Sequence, residues 1–188
     1  MKATTKPVTV RLVQNMIDEM NNVIEEGKLY SNKPDMIVWM MREYYSYIVY
    51  AISTMYKVLE NALKRDPEIK KLDPLTVVKG LVFYGECDPD KKYGIYPMGK
   101  PILIRVPERL YENIMKLNLS LGSPFYTIQD FCRFAITSGL ENERSRNETL
   151  EAFIELRDTS NDENLIKRIV EEFKSPYGRT NWKDELGP

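Results

Sequence analysis

Residues 8–12 alternate strictly. Val8, Val10 and Leu12 share one face and Thr9 and Arg11 the other, which is the two-residue period of a short amphipathic strand. From Gln14 the period lengthens. Met16, Ile17, Met20, Val23 and Ile24 fall on one helical stripe, and Gly27 follows as a C-terminal cap. After a loop at 28–32, Asn32 or Ser31 is placed to cap a second helix, with Pro34 in its first turn and Asp35 three residues after Asn32. Ile37, Met41, Tyr44, Ile48, Met55 and Leu59 carry its stripe over 34–64, a rod of ~45 Å that ends before Asp66-Pro67. Tyr44, Tyr45, Tyr47, Tyr50 and Tyr56 crowd this helix, the mark of a packed interface, where rings dominate the energetics.

Residues 66–99 read as a connector with a helical turn or two from Pro74, a turn at 88–94 and a return strand at 95–98. Asp88, Asp90 and Gly94 lack the further ligands of a calcium loop. At residue 100 the opening pattern returns. Lys100-Pro101-Ile102-Leu103-Ile104-Arg105-Val106 aligns with Lys6-Pro7-Val8-Thr9-Val10-Arg11-Leu12 at an offset of 94. Leu110, Ile114, Leu117 and Leu121 form a second stripe closed by Gly122. At an offset of 95, Thr127 and Asp130 repeat Asn32 and Asp35, and Phe131, Cys132, Ala135 and Ile136 repeat Met36, Ile37, Met40 and Met41. Gly139 is expected to close this helix early, leaving a polar linker at 141–146. A third helix then carries Leu150, Phe153 and Ile154, and a fourth carries Leu165, Ile169 and Phe173. Residues 177–188 read as loosely ordered, with Trp182 as an anchor. An internal repeat of this length means two copies of one supersecondary unit.

The charge balance, 27 basic against 28 acidic residues, argues at first against nucleic acid, for which a basic surplus is the usual footprint. Its distribution changes that. Residues 1–65 sum to +2, 66–100 to zero, 101–140 to +1 and 141–188 to −4, so the acidity belongs to the last quarter. With no histidine in the chain, Ser-His-Asp and Cys-His catalysis is excluded. There is no P-loop or Gly-x-Gly-x-x-Gly loop and no convincing carboxylate pair, so the expectation is a protein that is not an enzyme and needs no cofactor or metal. Cys87 and Cys132 cannot build a four-cysteine zinc site. Without an export signal they are expected to be reduced thiols of a cytoplasmic protein. No apolar run reaches the ~18 residues of a membrane helix.

Strand, helix, glycine and capped helix over residues 6–48 and again over 100–140 resemble the ribbon-helix-helix family of DNA-binding regulators, the MetJ, Arc and CopG type. Two copies in one chain are similar to a group of archaeal-virus transcription regulators; for a viral protein the compartment is the host cytoplasm. The resemblance implies a mainly α fold with short β, made of tandem ribbon-helix-helix units with extra C-terminal helices. The organisation it implies is a first unit at 1–65, a structured connector at 66–99, a second unit at 100–140 and an acidic helical extension at 141–188. It implies an antiparallel ribbon inserted into the major groove of double-stranded DNA, with outward side chains reading base edges. At matching positions these are Thr9 and Arg11, and Leu103 and Arg105; Leu103 departs from the usual polar reader and offers only apolar contact. The family clamps a phosphate at the N-terminus of the second helix. The matching residues are Ser31, Asn32 and Lys33, then Tyr126 and Thr127, with Lys2, Lys6, Lys28 and Lys100 as flanking phosphate contacts.

Each strand needs a partner for its open edge. It finds one either within the chain, as 8–12 against 102–106, or in a second chain. Self-association is expected in either case, through the tyrosine-bearing helix or the acidic tail. The competing function is a non-catalytic protein-interaction module, antitoxin-like or virion-associated, using the helices after residue 45.

Overall fold

The computed structural model describes residues 4–27, 30–66, 73–83, 88–122 and 125–159. In chain order these form β1 (Thr5–Val10), α1 (Gln14–Gly27), α2 (Lys33–Arg65), α3 (Pro74–Phe83), α4 (Pro89–Tyr93), β2 (Ile102–Pro107), α5 (Glu108–Leu121) and α6 (Ile128–Thr159). The protein is mainly helical, with one two-stranded antiparallel sheet. The order strand-helix-helix occurs twice, with α3 and α4 in the region expected to connect the copies. The chain divides into two compact units, Met1–Glu143 and Arg144–Pro188.

In the first unit β1 pairs with β2 of the same chain, from Thr5 opposite Pro107 to Val10 opposite Ile102. The ladder is displaced toward the start of the chain from the expected 8–12. At one end the Glu108 amide donates to the Thr4 carbonyl at 3.0 Å, drawing Thr5 and Lys6 into the pairing. At the other end the pairing continues out of step. Val13 bridges Met98, the Gly99 amide donates to the Leu12 carbonyl at 2.9 Å, and the Gln14 amide donates to the Pro97 carbonyl at 2.8 Å. Gly99 leaves room there for the tip of the Ile17 side chain, which a Cβ at this position would push aside.

Two strands alone are marginal, so the ribbon depends on what its inner face buries. Val10, Leu12, Ile104 and Val106 are fully buried. Each contributes roughly 1.5–3 kcal/mol. They belong to one core with Met16 and Met20 of α1, Ile37, Met40 and Met41 of α2, Ile114 of α5, and Phe131, Ala135 and Ile136 of α6. Both repeats therefore feed a single interior. Between them, α4 starts with an Asp88 cap on the Asp90 amide (3.0 Å). Asp90 and Lys92 then form ion pairs with Arg133 and Glu141 of α6. These contacts fix the connector to α6 and deliver residues 97–99 to the end of β1.

Two expectations about the second repeat are corrected. Gly139 does not end its helix; α6 runs through it. The glycine serves a helix crossing instead, since a Cβ there would lie 2.5 Å from Cγ of Met40 on α2. Residues 141–146 are likewise helix rather than linker. Glu141 pairs with Lys92, and Glu143, buried at 4 % exposure, accepts a 2.7 Å hydrogen bond from the Tyr30 hydroxyl, so polar residues there have partners in the body. The expected third helix is thus the continuation of α6. In the second unit the described residues are this part of α6, where Thr149 Oγ1 donates to the Ser145 carbonyl at 2.7 Å. The expected fourth helix and Trp182 lie outside the described residues, as do Cys87, Lys2 and Lys28. Among the described residues no helix is long and apolar enough to cross a membrane.

Candidate nucleic-acid interface

The alternation that buries Val8 and Val10 turns Pro7 and Thr9 outward, and on β2 it exposes Leu103 and Arg105. Thr9 lies opposite Leu103, and Pro7 opposite Arg105. The repeat offset of 94 carries residue 9 onto residue 103, so the fifth of the ladder's six pairs joins equivalent positions. The same operation exchanges Val8–Ile104 with Ile102–Val10. The approximate two-fold axis that relates the repeats therefore passes through the Thr9–Leu103 pair, where the strand register and the repeat offset coincide. Leu103 is 58 % exposed, an apolar side chain held on the outer face where this axis passes.

Arg11 lies just past the end of β1, where its backbone is fixed by a side chain. The Arg11 amide donates to Gln129 Oε1 at 3.0 Å, and Gln129 Nε2 donates back to the Arg11 carbonyl. A primary amide offers a donor and an acceptor side by side and so stands in for a neighbouring strand. Gln129 was not among the residues expected at this site. Its partner is 118 positions away, and no local pattern marks it. Thr9, Arg11, Met98, Gln129 and Arg133 line one open groove beside the ribbon. Gln14, Lys33, Pro34, Lys100 and Leu103 line another. Each groove therefore joins the start of a second helix to the ribbon.

The first turns of these helices are largely engaged. For α2, Asn32 Oδ1 accepts from the Asp35 amide at 3.0 Å, the Asn32 carbonyl accepts from the Met36 amide, and Pro34 has no N–H. Lys33 Nζ donates to Asn21 Oδ1 at 2.5 Å. For α6, Thr127 and Asp130 make a reciprocal capping box: the Thr127 amide donates to Asp130 Oδ2 at 3.0 Å and the Asp130 amide to Thr127 Oγ1 at 3.1 Å. Tyr126 is exposed beside it. Asp35 and Asp130 place carboxylates in both first turns, which opposes an anion there. Ser31 is exposed and precedes the cap.

The lysines of the two ribbon ends differ. Lys6 Nζ lies 2.9 Å from Glu108 Oε1. The hydrogen bond and the charge of Glu108 hold the Lys6 ammonium above its ordinary range, and the Lys6 hydrogen bond, then one from Thr4, holds Glu108 below the usual carboxylate range. Lys100 is exposed and has no acidic partner within ion-pair distance among the described residues. Away from the ribbon, Cys132 is fully buried with Sγ 3.5 Å from Met41 Sδ, and burial pushes its thiol up to about 12, which leaves it unreactive.

Set against known proteins, the chain matches no family model, no curated protein and no solved structure.

Proposed function

We propose that the protein is a sequence-specific DNA-binding transcription regulator of the ribbon-helix-helix kind, with two such units in one chain forming an internal pseudo-dimer. The observation that carries this reading is the register, which sets the equivalent residues Thr9 and Leu103 opposite each other and leaves a two-stranded ribbon with an outward face. The major groove admits such a ribbon. Arg11 and Arg105 stand two residues to either side of the Thr9–Leu103 pair, on opposite strands. Four steps of ~3.3 Å separate them by ~13 Å, the rise of about four base pairs. Each guanidinium can bond guanine O6 and N7 together. Thr9 and Leu103 meet the central step, where a leucine suits a thymine methyl. Lys6, Lys33 and Lys100 flank the ribbon for phosphate contacts. The modest positive charge of the two repeats supports weak non-specific binding and a reliance on these readers.

The test is selection of bound sites from random duplex DNA, followed by titration of the recovered site and a scrambled duplex. Arg11→Ala is expected to cost ~1–3 kcal/mol on the selected site and far less on the scrambled one. Equal losses on both would remove the base-reading role. A second reading, protein association, is favoured by one observation. Beyond Ile48, α2 buries only Leu59, while Tyr47, Tyr50 and Tyr56 are exposed. Sedimentation with and without the selected duplex separates the two readings.

A further inference from the structure

We propose that the ribbon reads its site with a fixed polarity: the end carrying Arg11 and Lys100 holds the tighter half-site, and the end carrying Arg105, Lys6 and Glu108 the weaker one. The proposal rests on the DNA-reading function above and goes beyond it by making the two halves of the operator non-interchangeable.

Three differences across the pseudo-two-fold axis carry it. The first is charge. The repeat offset takes Lys6 to Lys100 and Gln14 to Glu108. At one end, therefore, a lysine faces a carboxylate 2.9 Å away. At the other, the corresponding lysine shares a groove with a neutral amide, whose Nε2 donates to Asp18 Oδ1 at 2.7 Å. A phosphate arriving at the Lys6 end meets a neutralised ammonium and a repelling carboxylate. A phosphate at the Lys100 end meets a lysine with no acidic partner within ion-pair distance among the described residues, with Lys33 lining the same groove.

The second difference is preorganisation. Gln129 holds both backbone groups of Arg11. Its counterpart at an offset of 95 is Pro34, whose side chain has neither donor nor acceptor, so the Arg105 backbone receives no matching clamp from that position. A side chain projecting from a fixed backbone loses less freedom on binding. Gln129 is thus a positioning residue for the Arg11 contact. The third difference is the centre, where a hydroxyl stands on one strand and a leucine on the other. A base pair read by that couple presents different groups to each and is recognised in one orientation.

The experiment uses the full chain and three duplexes: the selected site, and two symmetrised versions in which one half or the other is duplicated as an inverted repeat. The selected site is expected to be asymmetric. The duplex built from the Arg11 half should bind about tenfold or more tightly than the other. Arg11→Ala should weaken the selected site several-fold more than Arg105→Ala. Each phosphate contact steepens the salt dependence by ~0.9 in log–log slope. Lys100→Ala should therefore flatten that slope by about 0.9, and Lys6→Ala by much less. Glu108→Gln, which gives the second repeat the residue the first already has, should steepen the slope and make Lys6→Ala as damaging as Lys100→Ala. Glu108 is at the surface, and circular dichroism confirms that the variant is folded. A perfect palindrome with equal losses for the two arginines, or equal slopes for the two lysines untouched by Glu108→Gln, overturns the polarity and leaves the DNA-reading function standing. Absence of any sequence preference overturns both.

Discussion

The second helices of the two repeats have diverged in opposite directions. At matching positions α2 carries Met40 and Tyr44, and α6 carries Ala135 and Gly139. At the crossing a large residue of α2 meets a small one of α6. Met40 fills the space a Gly139 side chain would take. Tyr44, 4 % exposed, packs against Phe131 and Phe125 with ring centroids 5.4 and 6.1 Å apart. Pairing like with like breaks this fit. Two copies of the first repeat would oppose methionine to tyrosine and overfill the crossing; two copies of the second would oppose alanine to glycine and leave a void. The repeats are thus shaped for each other, and packing as well as the covalent connection favours the pairing within one chain.

The largest way to break this comparison is to empty the bulky side. Tyr44→Ala is expected to lower stability by about 3–5 kcal/mol in a denaturant titration, because a ring buried among other rings leaves a cavity that the helices cannot close. A loss under ~1 kcal/mol would mean that Tyr44 behaves as the exposed tyrosines further along α2 do. Filling the small side is the next test. Gly139→Ala should cost about 1–3 kcal/mol through overpacking against Met40, reduced by up to ~1 kcal/mol of improved helix propensity. Met40→Ala alone should cost ~2–5 kcal/mol. The sharpening measurement is the double variant. If the two side chains share one space, Met40→Ala should abolish the penalty of Gly139→Ala, with a coupling of ~0.5–3 kcal/mol in the cycle. Additive losses would show that Gly139 serves some other purpose.

The same pair explains where the sequence was legible. The strands, α1, α2 and α5 were readable because their signals are local: two-residue alternation, helical stripes, an Asn32 cap with Pro34, and Gly122, which takes φ +69° after α5. Gly139 has the same letter and a different cause. A glycine at a positive-φ cap and a glycine at a helix crossing look alike in one dimension, and what separates them is Met40, 99 positions earlier. The helix at 141–146 was hidden for a similar reason, since its acidic residues look like a solvated linker until Lys92 and Tyr30 are placed beside them. At the candidate interface the outward residues Thr9, Leu103 and Arg105 followed from alternation alone. The Gln129 clamp did not, because a single amide reaching a distant backbone leaves no periodic trace. The Lys6–Glu108 contrast with Lys100–Gln14 was latent in the repeat alignment, but its meaning needed the register.

That contrast yields the smallest expected effect, in stability rather than binding. Both partners at the Lys6 end are exposed, so the pair is weak and sensitive to salt. Its pH window follows from the two shifts. Glu108 is held below its ordinary range, so its contribution is fully present above the unfolded carboxylate pKa and disappears as pH falls through the lowered folded value. Lys6 is held above its ordinary range, so its contribution is fully present below the unfolded lysine pKa and disappears as pH rises through the raised folded value. Between those limits Glu108→Gln should melt slightly below the parent protein. The difference should close in strong acid, in strong base and in ~1 M salt. Lys100→Ala, which removes a lysine with no acidic partner within ion-pair distance among the described residues, should show no such pH-dependent gap. An equal gap for Lys100→Ala over the same window would mean that an acidic group also serves Lys100, and the two ends of the ribbon would then be alike in charge.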